Sequence, residues 1–312
     1  MTPPLVSIVI PTFNGANYLR EAIDSVLAQD YRHIELIVLD DGSTDDTPRI
    51  LKEYKDKFYW ETQPNMGQAG TLNKGWQMAH GEVLAYLSAD DSLFPSAVSR
   101  SVGCLLEDTK RVLTYCDYHL MDEKSKVIRR VHAPEANYQD MVVKIVCPPG
   151  PGAFFRRAGF EKAGLWDSSL RQVPDYDYWI RLGLHGRFYR IREPLAKFRV
   201  HGNSQSHAEP NEARSEEIVG VMKRYFLLEG VPTTICQRKR KALSSAHVVA
   251  ARFHLRAGRY GLAFSRLLQA LLLNPLCVVS REGLKYLGNG LVYRLKRTNR
   301  EIRETFVDTG FL

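Results

Sequence analysis

The sequence predicts an α/β protein: a mostly parallel central sheet with covering helices, followed by an all-helical C-terminal extension. Three observations predict it. Short β-branched runs alternate with stretches of helical apolar spacing in the first hundred residues, two of those runs end in adjacent carboxylates, and beyond Pro210 the apolar spacing is helical throughout. Strands and helices alternating at this interval imply parallel βαβ units, whose strand C-termini share one sheet edge.

The first run, Leu5 to Ile10, is stopped by Pro11-Thr12, and Asn17 to Gln29 then places Leu19, Ala22, Ile23, Val26 and Leu27 on one helical face. A second strand, Ile34 to Leu39, ends in Asp40-Asp41-Gly42-Ser43, and Thr47-Pro48 fits a helix start with Thr47 as N-cap. Tyr59 to Gln63 reads as a short third strand and Gly67 to Ala79 as a helix closed by Gly81. The run from Val83 to Leu87 is too short for a helix with its own core face and ends in Ser88-Ala89-Asp90-Asp91, with Pro95 beyond. Pro11-Thr12, Asp40-Asp41 and Asp90-Asp91 are therefore expected to converge on the edge where open α/β sheets bind ligands.

Adjacent carboxylates repel and are costly to desolvate, so a site that keeps them together calls for a cation, and oxygen ligands suit Mg²⁺ or Mn²⁺ carrying a phosphate. A dinucleotide-binding domain would need Gly-x-Gly-x-x-Gly after the first strand, where this chain has Pro11-Thr12-Phe13-Asn14-Gly15-Ala16. With one glycine there, the counter-charge for phosphate falls to a metal at Asp90-Asp91.

Pro148-Pro149-Gly150-Pro151-Gly152 marks a turn-rich passage into the second half of the first domain, placed at residues 1–210. Residues 211–312 form the helical basic extension, with helices expected over Glu212–Glu229, Arg238–Ala257, Gly261–Leu273 and Leu276–Arg297, the middle two as a hairpin. The net charge of +8 belongs to this part: from Asn211 onward there are 18 Lys+Arg against 8 Asp+Glu, whereas residues 1–210 hold 25 against 27. The runs Arg238-Lys239-Arg240-Lys241 and Arg294-Leu295-Lys296-Arg297 flank apolar helices, which suits an anionic membrane surface. No nucleic-acid module accompanies the charge, so a nucleic-acid partner is disfavoured.

Five cysteines without Cys-x-x-Cys spacing read as reduced core thiols rather than a zinc site. The most apolar late stretch, Leu267 to Val279, is interrupted by Gln269, Asn274 and Pro275 and is too short to span a bilayer. With no secretory signal in Met1-Thr2-Pro3-Pro4-Leu5, a cytoplasmic protein is expected, peripheral on the inner membrane face if the basic helices bind lipid.

An ordered set of segments resembles the inverting family 2 glycosyltransferases of the GT-A fold. These are Val6-Ser7-Ile8-Val9-Ile10-Pro11-Thr12-Phe13-Asn14, Asp40-Asp41-Gly42-Ser43-Thr44-Asp45, Asn65-Met66-Gly67, Asn73-Lys74-Gly75, Gly81-Glu82 and Ser88-Ala89-Asp90-Asp91. The resemblance continues through Phe155-Arg156-Arg157, Asp175-Tyr176-Asp177-Tyr178-Trp179-Ile180-Arg181 and Arg199-Val200-His201-Gly202-Asn203-Ser204, covering roughly the first two-thirds of the chain.

That resemblance implies an enzyme that transfers a sugar from a nucleotide-sugar donor, usually UDP-linked, to a glycan or polyprenyl-linked acceptor in surface polysaccharide synthesis. It places Pro11, Thr12, Asp40 and Asp41 around the nucleoside, Asp90 and Asp91 on the metal and diphosphate, and His201 beside them. Ser88 stands where the family commonly has an acid. A carboxylate can accept the imide N–H of uracil, which gives Asp41 a physical reason to be there. Asp45 and Asp46 read as caps of the following helix.

Inverting transfer needs a base on the opposite face of the sugar, and Asp175 occupies the family's position for it, with Asp177 as the alternative. Arg199 and Arg181 could pair with phosphate or with the acidic edge. Trp166, Tyr176, Tyr178 and Trp179 divide between a sugar-stacking face and the core. Two other readings fit carboxylates at a sheet edge: a metal-dependent nucleotidyltransferase, which would want a basic triphosphate loop that this chain lacks, and a non-catalytic scaffold retaining the fold.

Overall fold

The computed structural model describes residues 3–202 and 210–298, with backbone alone for 295–298. Met1, Thr2, Asn203 and Ser204, and the side chains of Leu295, Lys296 and Arg297, lie outside what is described. Contacts divide the chain into two compact units: residues 1–136, 148–169 and 181–201 in the first, and residues 137–147, 170–180 and 202–312 in the second.

The first unit is built on a nine-stranded sheet. Its opening half follows the expected alternation: β1 (Val6–Thr12), α1 (Leu19–Leu27), β2 (Ile34–Asp40), α2 (Thr47–Glu53), β3 (Tyr59–Thr62), α3 (Gly67–Met78) and β4 (Val83–Tyr86). Strand β1 is buried along its whole length, as a continuous apolar run with neighbours on both edges should be. It pairs in parallel with β2, placing Thr12 opposite Asp40, and with β4 through Val9 and Tyr86. Pro11 is tolerated inside a central strand because pairing with β4 stops at Val9, where Leu87 N–H donates to the Val9 carbonyl. Helix α1 buries Leu19, Ala22, Ile23 and Val26 of the stripe that its spacing predicts, while Leu27, at the last position of the helix, is exposed.

Beyond β4 the sheet becomes mixed. A short β5 (Ser92–Leu93), helix α4 (Ala97–Glu107) and the hairpin β6 (Arg111–Met121) and β7 (Val127–Val131) are followed by β8 (Phe154–Arg156), α6 (Arg157–Ala163) and β9 (Arg187–Arg199). The sheet order is β3-β2-β1-β4-β8-β6-β9-β5, with β7 on β6. β8 runs antiparallel to both β4 and β6, whereas β6 and β9 are parallel over the length of β6. The parallel expectation holds for the four strands whose connections are helical crossovers. It gives way where a tight turn joins β6 to β7, because only antiparallel strands can be linked that way.

The second unit contains α5 (Tyr138–Val143), most of α7 (Pro174–Leu182), and α8 (Glu212–Tyr225), α9 (Thr233–Cys236), α10 (Lys239–Arg256), α11 (Tyr260–Leu273), α12 (Pro275–Val279) and α13 (Arg281–Thr298). Helix α10 is central and contacts α5, α8, α11, α12 and α13. Its small buried residues Ala242, Ala246, Ala250 and Ala251 allow these close approaches. The single helix expected over Leu276–Arg297 is broken at Ser280, whose extended backbone (ψ 157°) separates α12 from α13 and whose hydroxyl accepts the Gly283 N–H at 3.0 Å.

Three polar clusters hold this unit. Glu217 accepts the N–H groups of Arg171, Gln172 and Val173 at 2.9, 2.6 and 3.2 Å, pinning the segment that leads into α7. The Tyr138 and Tyr225 hydroxyls share a 2.7 Å hydrogen bond. The fully buried His254 receives the Arg259 Nε–H on Nδ1 at 3.0 Å, which fixes the proton on Nε2, where it is donated to Glu216 at 2.7 Å. Among the described residues no helix is long and apolar enough to cross a membrane. No disulfide joins the cysteines, of which Cys236 is exposed and the other four are buried.

Candidate active site

The carboxyl edge of the parallel half is where the motif residues meet. The loops after β1 and β2 are zipped together: Asn14 N–H donates to Ser43 Oγ at 2.7 Å, Thr44 N–H donates to Asn14 Oδ1 at 2.8 Å, and Gly15 N–H donates to Thr47 Oγ1 at 3.0 Å. The Thr47 hydroxyl is thus an acceptor for the neighbouring loop, and Asp45 caps α2 instead, taking the Thr47 N–H at 2.9 Å and the Ala16 N–H at 3.1 Å. At Gly15 a Cβ would lie 2.4 Å from Thr12 Oγ1 and 3.5 Å from the Ala89 Cβ. The absent side chain therefore lets the first loop lie against the turn that carries Asp90. Thr12 Oγ1 is buried and has no hydrogen-bond partner among the described residues. A buried hydroxyl at a sheet edge calls for a hydrogen-bond partner.

Asp40 and Asp41 are both buried, and both are committed to shaping this edge. Asp40 accepts from Ser43 N–H at 3.1 Å and from the Thr62 hydroxyl at 2.9 Å. Asp41 accepts three donors: Gln63 Nε2 at 3.0 Å and the N–H groups of Met66 and Gly67 at 2.7 and 2.8 Å. It caps the N-terminus of α3 from a strand 26 positions earlier, where Met66 itself supplies no side-chain cap. Gln63, whose ring of partners sequence reasoning missed, has its amide oriented by that carboxylate and by Thr71 Oγ1 at 3.1 Å, leaving a buried Oε1 without a partner. Its place as the last residue of the expected third strand was the signal available for it.

Asp90 and Asp91 separate in role. Asp91 N–H closes a turn on the Ser88 carbonyl at 3.0 Å, and its buried carboxylate accepts the Arg199 backbone N–H at 2.9 Å. Desolvation, with the Asp90 charge beside it, raises the Asp91 carboxyl well above the ordinary range. Asp90 keeps 32 % of its side chain exposed, and its Oδ2 lies 3.0 Å from His201 Nε2. The Tyr18 ring packs at 5.1 Å from the His201 ring and lies under the Arg199 guanidinium at 4.3 Å.

Arg199 is fully buried and spends its donors internally: Nε on the Asp90 carbonyl at 2.9 Å, Nη1 on the Asp122 carbonyl and Ser125 Oγ at 3.0 and 2.9 Å, and Nη2 on Glu21 at 2.5 Å. The carboxylate that its guanidinium meets is Glu21 of α1 rather than one of the strand-end acids expected as its partner. Arg181 likewise donates to the carbonyls of Ala163 and Leu165. Burial tends to raise the Glu21 carboxyl, yet the Ser125 hydroxyl and the Arg199 charge hold it below its ordinary value.

Asp90 and His201 present two donors, one oxygen and one imidazole nitrogen, that fit a divalent cation completed by phosphate and water. Among the described residues no group of three His, Cys, Asp or Glu side chains is arranged to hold a metal by itself.

In the second unit, Asp175 sits in the first turn of α7 with Oδ1 on the Tyr176 N–H at 2.8 Å. It is half-buried, and desolvation raises its carboxyl above the ordinary value. Asp177, in the same turn, is buried. Trp166, Tyr176, Tyr178 and Trp179 are all buried at 3 % exposure or less, so the stacking role suggested for some of them is replaced by a core role. Trp166 meets Trp76 and Tyr86 edge-on in the first unit, and Tyr176 donates to the Met141 carbonyl at 2.8 Å in the second.

Comparison with known proteins agrees with this architecture. An uncharacterized glycosyltransferase of Rickettsia typhi is 37 % identical over 231 residues, covering 71 % of this chain and 72 % of its own. A Bacillus subtilis glycosyltransferase named for teichuronic acid biosynthesis, TuaG, is 29 % identical over 213 residues, 65 % of this chain and 82 % of its own. The crystal structure of Staphylococcus aureus TarS residues 1–349 in complex with UDP-GlcNAc superposes with a TM-score of 0.68 at 16 % identity, covering 95 % of this chain and 92 % of that one. It shares the GT-A fold. The profile of Glycosyl transferase family 2 matches residues 7–164, which selects sugar transfer over the nucleotidyltransferase and scaffold readings. With its parallel β-α edge, its Asp-Asp strand ends and this matched sequence, the chain belongs to glycosyltransferase family 2 and is a glycosyltransferase of the GT-A fold.

Proposed function

We propose that the chain is an inverting glycosyltransferase that takes a sugar from a UDP-linked donor and extends a glycan or polyprenyl-linked acceptor of a surface polysaccharide, working at the inner face of a membrane. The observation that carries the reading is the partly exposed Asp90, paired with the largely buried His201, at the sheet edge that also holds the orphaned Thr12 hydroxyl. UDP-GlcNAc in TarS supports the nucleotide, and the name of TuaG supports the class of product.

In this reading Thr12 Oγ1 and the pocket edge shaped by Pro11, Asp40 and Asp41 receive the nucleoside. Asp90 and His201 would hold a divalent cation, Mg²⁺ or Mn²⁺, which would supply positive charge to the departing diphosphate. Asp91 acts from beneath, fixing the Arg199 backbone and so the strand end that leads to His201. The acceptor hydroxyl oxygen attacks the anomeric carbon as the bond to the diphosphate breaks, and its proton passes to the Asp175 carboxylate. A carboxyl whose affinity for protons is raised by desolvation suits that task.

Calorimetric titration with UDP, with and without Mn²⁺, followed by a transfer assay over UDP-sugars, tests the assignment. Asp90→Asn or His201→Ala is expected to weaken metal-dependent UDP binding by roughly 10–100-fold. Asp175→Asn should leave UDP binding intact and lower kcat by about 10²–10⁴-fold. UDP binding indifferent to metal and to both substitutions would remove the cation from Asp90 and His201. Preference for GDP over UDP would remove the uridine assignment.

A further inference from the structure

Helix α11 reads Tyr-Gly-Leu-Ala-Phe-Ser-Arg-Leu-Leu-Gln-Ala-Leu-Leu-Leu, yet the residues that it buries are two alanines, Ala263 and Ala270. Leu262, Leu267 and Leu273 are partly covered, while the other large apolar side chains are exposed. Tyr260, Phe264, Leu268 and Leu272 recur every fourth position and are 58, 63, 44 and 74 % exposed. The stripe continues across the Asn274-Pro275 turn through Leu276 and Val279, 72 and 61 % exposed. A continuous apolar ridge of this length on a soluble surface marks an interaction face.

The charge around the ridge says what covers it. Between Gly230 and Arg294 there are 11 Lys+Arg and one acid, Glu282. Arg240 donates to the Leu272 carbonyl at 3.2 Å, which brings the exposed run Arg238-Lys239-Arg240 to the leucine end of the ridge. Lys239 Nζ lies 5.6 Å over the Phe226 ring, next to Leu227 at 80 % exposure. Apolar side chains flanked by cations and nearly free of acids match an anionic lipid surface, into which leucines and aromatics insert while lysines and arginines meet the headgroups. A second copy of the chain would bring the same positive face and be repelled.

We infer that the face of α11 and α12, with the basic N-terminal end of α10, is a docking surface for an anionic bilayer. The inference deepens the membrane location in that reading and concerns the second unit alone, so its failure would remove the location and leave the sugar transfer itself untouched.

The full chain should float with vesicles of phosphatidylcholine containing about one-third phosphatidylglycerol, and bind pure phosphatidylcholine at least ~10-fold less. Raising salt should weaken binding to the mixed vesicles. Leu272→Glu with Leu276→Glu is expected to lower the partition coefficient by ~10-fold or more. Arg238→Glu with Lys239→Glu should do the same through the charge alone. All four positions are solvent-exposed, and circular dichroism with UDP titration checks that each variant remains folded. Equal binding to both vesicle types, or to neither, overturns the proposal. So does self-association in sedimentation velocity that the leucine substitutions abolish without any vesicle binding.

Discussion

At the scale of single residues, the strand-end carboxylates hold the site's shape as much as they offer it to a ligand. Asp41 takes three donors, two of them backbone N–H groups at the start of α3. Asp41→Ala should therefore cost roughly 2–4 kcal/mol of stability in urea unfolding, beyond any loss of nucleotide binding. Asp41→Asn, which keeps one acceptor oxygen, should cost less. That Asp40 and Asp41 matter was legible from two acids closing a β-branched run. What each acid holds was not, because its partners Gln63, Met66 and Gly67 lie beyond the following helix and strand. Arg199 shows the same limit more sharply: its motif leaves phosphate and the acidic edge open as partners, while its buried guanidinium binds groups contributed by residues 21, 90, 122 and 125.

At the scale of elements, β1, β2, β4 and the helices between them were readable because a parallel βαβ unit writes its period locally. The boundaries of α1 and α3 fall within two residues of those expected. Strands β6 and β9 carry no such signature, since their parallel pairing joins residues more than seventy positions apart. Packing between readable elements is also tight. A Cβ at Gly75 of α3 would lie 2.4 Å from Val9 Cγ1 of β1. Gly75→Ala should destabilise the first unit by about 1–3 kcal/mol through overpacking. Combining it with Val9→Ala should recover part of that cost, giving a non-additive double-mutant cycle in thermal unfolding.

At the scale of the whole molecule, the basic character gathers in the second unit together with a buried titratable group. His247 is 6 % exposed, and desolvation, with Arg266 and Lys223 adding to it and Glu216 opposing, lowers its pKa to about 4. A histidine depressed in the folded state stabilises above its unfolded pKa near 6.5 and loses that contribution as pH falls to about 4. Stability should therefore decline through this window by up to ~3 kcal/mol more in the wild type than in His247→Leu. Urea titrations at successive pH values measure the difference in slope. The way in which the second unit borrows residues 137–147 and 170–180 from the middle of the sequence has a consequence in time. On the ribosome, the segment bearing Asp175 emerges about forty residues before Glu217, whose carboxylate receives three of its N–H groups. At roughly 5–20 residues per second, every strand of the sheet is made seconds before that segment can be fastened. A nascent chain stopped near residue 210 would own the proposed nucleotide edge and lack the anchor for its proposed base, so the residues beyond 210 decide when that base is fastened.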